Sequence, residues 1–127
     1  MAPTRDQKSV LVVEDDRELN ALLADLFDMS GYRVLQAYDG LEAYSLIGKE
    51  HPDIVTLDLM LPGMLGQDIL RLAKSDPATR DVRFIIVSAW CQNLSDEDLQ
   101  LADAQFTKPF EVDRVLAEVE RLAQPVS

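Results

Sequence analysis

Five times along this chain a short apolar run gives way to polar residues or to a stripe of apolar residues at helical spacing, and that alternation leaves few folds open. Val10 to Val13 is the first run, followed by Glu14-Asp15-Asp16. Leu19, Leu22, Leu23, Leu26 and Phe27 then recur at i, i+3, i+4, i+7 and i+8, giving one helix an apolar face. Gly31 reads as its C-terminal cap. Tyr32 to Ala37 is a second strand, less purely apolar and so expected nearer a sheet edge. Asp39-Gly40-Leu41-Glu42 has the form of a helix start, with an acid three residues after the capping Asp, and Leu41, Tyr44 and Ile47 mark that helix's stripe.

Pro52 precedes the third run, Ile54 to Leu57, which ends in Asp58 and is soon followed by the turn residues Pro62-Gly63. A run this short and this apolar fits a strand buried on both faces of a parallel sheet. Ile69, Leu70 and Ala73 give a third helical stripe, which Pro77 ends. Phe84 to Val87 is a fourth strand stopping at Ser88, and Ser95-Asp96-Glu97-Asp98 reads as the capped start of a short fourth helix. Ala104 to Thr107 is a brief fifth strand before Lys108-Pro109. Val112, Val115, Leu116, Val119 and Leu122 mark a last helix running to about Ala123. Five strands alternating with five helices give an α/β class with a parallel sheet covered on both faces. Right-handed crossovers then favour a flavodoxin-like, doubly wound sheet in the order 2-1-3-4-5.

The 127 residues suit one domain, able to bury roughly two-thirds of the surface its unfolded chain exposes. No repeat or linker divides them. Residues 1–8 read as a polar leader, 9–124 as the domain and 125–127 as a tail. The net charge of −11 argues against a nucleic-acid backbone or an anionic membrane as partner. A single cysteine, Cys91, forms no internal disulfide, no apolar run approaches the ~20 residues of a membrane helix, and Met1 to Lys8 lacks a signal-peptide core. A cytoplasmic location is the expectation.

Chemistry gathers where the strands stop. Glu14 and Asp15 follow the first strand, Asp58 the third, Ser88 the fourth and Lys108 the fifth. In a parallel sheet these ends share one rim, where open α/β sheets bind ligands. Each residue alone has an ordinary reading as a cap, a strand end or a solvated lysine; their coincidence on one rim points to a shared site. Three carboxylates brought together repel unless compensated, and an all-oxygen set selects a hard divalent cation, Mg²⁺ or Mn²⁺ in its place. Metal, ammonium and hydroxyl together suit a phosphoryl group. One carboxylate is then free to be the nucleophile, and Asp58, central in the sheet, is the natural choice.

Val12-Val13-Glu14-Asp15-Asp16, Leu57-Asp58-Leu59-Met60-Leu61-Pro62-Gly63, Ile86-Val87-Ser88-Ala89 and Phe106-Thr107-Lys108-Pro109-Phe110 occur in this order on the βα alternation. From Ser9 to about Gln124 the chain thereby resembles the receiver domains of two-component response regulators. The resemblance implies that Asp58 is the phosphoacceptor, that Asp15 binds Mg²⁺ directly and Glu14 through water, and that the Met60 backbone carbonyl is a further ligand. Asp16 becomes a helix-start residue. Ser88 would bond the bound phosphoryl, Lys108 would pair with it, and the Lys108-Pro109 peptide would be cis. The partners implied are a sensor histidine kinase or phosphotransfer protein and a downstream effector, met through helix 4, strand 5 and helix 5; the chain would not be an enzyme beyond its own phosphoryl transfer and dephosphorylation.

Two features depart from the family pattern. Gln105 stands where the family usually carries an aromatic switch residue, and Phe106 beside it should point to the opposite side of the strand. The segment from Ser88 to Lys108 is about two residues shorter than usual, so helix 4 is expected to be short, shifted or poorly ordered. Met60 and Trp90 occupy positions that in the family flank the attacking water's path, so two apolar side chains there would slow autodephosphorylation; Trp90 alternatively covers the helix 4 region. The rival function is a phosphorylation-independent interaction module with the same fold. An aspartyl phosphatase is disfavoured because Met60 stands where such hydrolases place a second Asp, and flavin binding because the loop after strand 1 is acidic. His51, the sole histidine, reads as a solvated turn residue.

Overall fold

The computed structural model describes residues 7–124; the leader over residues 1–6 and the tail over 125–127 lie outside the described residues. The strands are β1 (Ser9–Val13), β2 (Arg33–Ala37), β3 (Ile54–Leu57), β4 (Arg83–Ser88) and β5 (Ala104–Thr107). Between and after them run α1 (Arg17–Met29), α2 (Gly40–Glu50), α3 (Gly66–Ser75), α4 (Asp96–Leu101) and α5 (Val112–Ala123), with a single 3₁₀ turn at Cys91–Asn93 before α4. All four strand pairings are parallel and the order is β2-β1-β3-β4-β5.

The period-2 geometry of the strands sorts their apolar side chains into two layers. Leu11, Val13, Val55, Leu57, Phe84 and Ile86 face one side, where Ala43 and Ile47 of α2, Ile69, Leu70 and Ala73 of α3, and Leu94 complete a core. Val10, Val12, Ile54, Ile85 and Val87 face the other, against Leu23 and Phe27 of α1 and Val115 and Val119 of α5. Each fully buried side chain of this size contributes about 1.5–3 kcal/mol. The central strands β1 and β3 are buried on both faces, whereas β2 and β5 lie at the edges and are partly open.

Helix starts follow the capping residues. Asp16 accepts hydrogen bonds from the Glu18 and Leu19 amides and caps α1. Asp39 Oδ1 accepts from the Glu42 amide while Glu42 Oε1 accepts from the Tyr38 amide, and Ser95 caps α4. Gly31, at φ 97°, sits one residue past the α1 C-cap. His51 closes α2 in the left-handed region and is exposed. Two parts of the helical stripes are corrected. Leu41 and Tyr44 are exposed, because α2 turns Gly40, Ala43 and Ile47 inward; Leu22 is half-exposed, and a polar residue, Asn20, takes a buried place on α1.

Candidate functional site

Backbone register brings the acids together before any side chain is considered. Val13 pairs with Leu57, and the Asp58 amide donates to the Val13 carbonyl at 3.1 Å, so Glu14 and Asp58 emerge side by side from the two central strands. The oxygens offered by Glu14, Asp15 and Asp58 all lie within 4.8 Å of one another. Glu14 is 2% exposed and Asp58 5%, while Asp15 opens to solvent.

Lys108 answers two of the three acids. Its Nζ donates to Glu14 Oε1 at 2.6 Å and to Asp58 Oδ2 at 2.9 Å. The backbone supports the other oxygens: the Met60 amide donates to Asp58 Oδ1 at 3.1 Å, and the Asp16 amide to Glu14 Oε2 at 3.1 Å. Burial pushes the Glu14 carboxyl up to about 7, and the charge of Asp58 adds to that rise, against the lysine's hydrogen bond and the Asp16 amide. Burial pulls Lys108 down, but its bonds to Glu14 and Asp58 outweigh it and the net direction is up. The ammonium is therefore the fixed charge here, and Glu14 the titrating group.

Three carboxyl groups face one ammonium, so ionisation of the cluster outruns the charge that Lys108 can answer. The donors are oxygens throughout, two of them deeply buried and one open, which is the donor set of a hard divalent cation that keeps part of its water shell. The residues fit such an ion.

Ser88 is fully buried at the end of β4, and its Oγ accepts the Trp90 amide at 3.2 Å. It lies on the strand beside Asp58 and forms no hydrogen bond to the acid among the described residues. Trp90 and Met60, 46% and 48% exposed, are large apolar side chains near this rim. The Lys108-Pro109 peptide is cis. On β5, Gln105 is exposed while Phe106 packs with the α1–α5 layer, so the two point to opposite sides. The α4 helix has six residues and is tied to α3 by Arg71, whose Nε and Nη2 reach the two oxygens of buried Asp98 at 2.8 and 2.6 Å.

Two supports of the site carry no obvious mark in the sequence. Gly66, at the first turn of α3, donates its amide to the Leu59 carbonyl at 2.9 Å, and a Cβ there would stand 2.3 Å from the Asp58 carbonyl oxygen. Asn20 is wholly buried, and its Nδ2 donates to the Glu14 carbonyl at 3.0 Å and the Ala37 carbonyl at 3.1 Å. A polar residue three before Leu23 and seven before Phe27 sits on the inward face of α1, and that placement was the available signal.

The family model described as the response regulator receiver domain matches residues 10–120. The chain belongs to this family. Among curated relatives, it is 36% identical over 110 residues to sporulation initiation phosphotransferase F of Bacillus subtilis, covering 85% of this chain and 87% of that protein. It is 32% identical over 111 residues to the polar-differentiation response regulator DivK of Brucella ovis, covering 86% and 90%. Among solved structures, a Francisella response regulator receiver domain superposes with a TM-score of 0.82 at 28% identity, over 92% of this chain and 97% of the other. The Thermotoga maritima response regulator TrrA, solved in complex with Mg²⁺-BeF, gives 0.81 at 28% identity, over 91% and 99%. The chain is thus a receiver domain of two-component signalling, and its acidic cluster of Glu14, Asp15 and Asp58 fits a phosphoacceptor site. No helix among the described residues is long and apolar enough to cross a membrane.

Proposed function

We propose that residues 9–124 form a phosphoacceptor receiver domain in which Asp58 takes a phosphoryl group from the phosphohistidine of a sensor kinase or phosphotransfer protein. The observation that carries this reading is the Asp58 carboxylate itself: buried, gripped by Lys108 at one oxygen and by the Met60 amide at the other, beside two further acids. An Asp58 oxygen forms the new bond to phosphorus as the bond from phosphorus to the imidazole nitrogen breaks, and the imidazole leaves with that electron pair. Lys108 needs no large movement to donate to an oxygen of the transferred group. The Ser88 hydroxyl turns from the Trp90 amide toward the same group. Mg²⁺, held by Asp15, Asp58, the Met60 carbonyl and Glu14 through water, would supply charge neutralisation on the phosphoryl oxygens. Hydrolysis by water returns the carboxylate and inorganic phosphate.

An apolar cavity of about 440 Å³ lined by Leu19, Leu22, Pro109, Phe110 and Val112 opens beside Lys108 and offers the phosphodonor protein a surface next to the acceptor. Toward an effector, the new charge on Asp58 biases the loop after β4 and α4, and the readout face is α4, β5 and α5. The domain catalyses its own phosphoryl transfer and dephosphorylation alone, and the lone buried cysteine supports a reducing cytoplasm.

A second reading, an interaction module that works without phosphorylation, is favoured by exposed Gln105 in place of an aromatic switch residue and by an α4 clamped through Asp98. Incubation with acetyl phosphate and Mg²⁺ separates the two. Stoichiometric hydroxylamine-sensitive labelling is expected in the native chain and none in Asp58→Asn. Equal labelling of that variant would remove Asp58 from the role, and no labelling of the native chain would favour the module.

A further inference from the structure

Asn20 touches neither acid's carboxylate, yet it holds the peptide that joins them. The Glu14 carbonyl, which accepts Asn20 Nδ2 at 3.0 Å, belongs to the peptide between Glu14 and Asp15. The plane of that peptide sets ψ of Glu14 and φ of Asp15, and with them the directions in which both side chains leave the backbone. The second good bond of Nδ2 goes to the Ala37 carbonyl at 3.1 Å, which also receives the Glu14 amide at 3.1 Å. One carboxamide therefore ties the end of β1 to the end of β2 at a three-way junction. A third contact, to the Val12 carbonyl at 3.5 Å, is long and weak.

The carboxamide is itself held. Its oxygen accepts Gln36 Nε2 at 2.8 Å, and the carbonyl partners of Nδ2 leave no choice about which end of the amide faces them. Both hydrogens of Nδ2 are thus spent on carbonyls at the site's base, in a position from which solvent is excluded. A residue needed for packing alone would be served better at this place by leucine, which carries no polar atoms to satisfy.

We infer that Asn20 is a positioning residue of the divalent-cation site, acting through the Glu14–Asp15 peptide. The inference rests on the reading of Glu14, Asp15 and Asp58 as cation ligands. Partners that orient ligands from outside the coordination shell typically govern affinity by a factor of about 10–100. Asn20→Ala is accordingly expected to weaken Mg²⁺ binding at least tenfold, by this general factor, while the chain stays folded.

The test is a titration with Mg²⁺ alone, read by the fluorescence of Trp90 and by the amide resonances of Glu14 and Asp15, at a temperature where far-UV circular dichroism shows each variant fully folded. Phe27→Leu, which loosens α1 far from the rim, controls for lost stability and is expected to leave the Mg²⁺ affinity unchanged. Should Asn20→Ala fail to fold, Gln36→Ala removes only the bond that holds the carboxamide oxygen, with an expected loss of about threefold. Native affinity in a folded Asn20→Ala chain, or in Gln36→Ala where Asn20→Ala does not fold, would overturn the inference and leave the site reading standing. A native chain that binds no Mg²⁺ would overturn both.

Discussion

Gly66→Ala adds one methyl group and should damage both the fold and the site. The glycine's φ lies outside the left-handed region, so alanine meets no backbone strain there, and the cost is contact alone. The new Cβ would stand 2.3 Å from the Asp58 carbonyl oxygen, 2.8 Å from Leu59 Cα and 3.1 Å from the Asp58 carbonyl carbon. An acceptable carbon–oxygen approach is about 3.3 Å, so the backbone must yield by about 1 Å. None of these obstacles is a side-chain tip that could swing away. Overpacking of this severity costs about 3 kcal/mol, and alanine's better helix propensity returns at most about 1 kcal/mol, for a net loss of about 2 kcal/mol. For a chain of this length that lowers Tm by about 7 °C. Because the yielding backbone is that of Asp58, a displacement of about 1 Å should also slow labelling by acetyl phosphate by up to about a hundredfold. Gly48→Ala is the companion measurement: nothing lies within 4 Å of its Cβ, and in the body of α2 it should stabilise by about 0.5–1 kcal/mol. Urea unfolding by circular dichroism and phosphoryl labelling read both variants. A Gly66→Ala chain with native stability and native labelling would refute the steric argument.

Three further outcomes are expected. Glu14 titrates near 7 in the folded chain against 4.5 for an ordinary Glu, so its contribution to stability is present in full below pH 4.5 and is lost as pH rises to about 7; in Glu14→Gln without divalent cation that decline should vanish, as urea unfolding across this range will register. Asp98 is held below the usual carboxylate range by its bond to Arg71; Asp98→Asn should leave β-strand protection intact and speed hydrogen exchange of the α4 amides, and unchanged α4 exchange would count against the clamp. Met60→Asn and Trp90→Glu should each accelerate loss of the phosphoryl group from Asp58 by opening the rim to water; native decay rates in both variants would leave these side chains without that role.

What could be read before folding was whatever depends on strand ends. Glu14, Asp58 and Ser88 each close an apolar run and Lys108 follows the short fifth strand, and parallel strands align such residues on one rim. Asp16 was read as a helix-start residue through the family resemblance, whereas Asp39 and Ser95 were legible as caps because capping depends on neighbours within one turn. Gly66 was not, because its partner is the backbone eight residues earlier and only the packed structure shows how near it comes. The Arg71–Asp98 pair joins α3 to α4 through residues 27 apart in sequence, a separation at which charge pattern carries no information. Leu41 and Tyr44 failed as core markers because the approach of α2 to the loop after β3, with a Cβ on Gly40 standing 2.1 Å from the Met64 carbonyl oxygen, turns Gly40, Ala43 and Ile47 inward and leaves Leu41 and Tyr44 outside.

Glu14, Asp15, Asp58, Ser88 and Lys108 stand where the strands finish, at the end of the sheet away from the turn between α3 and β4. At that far end residues 76–78, between α3 and β4, are all exposed. A fluorescent reporter or a tether for surface attachment spliced between Pro77 and Ala78 would therefore sit a full strand length from the acidic cluster. The molecule offers an engineering handle at the end of the sheet away from its acidic cluster.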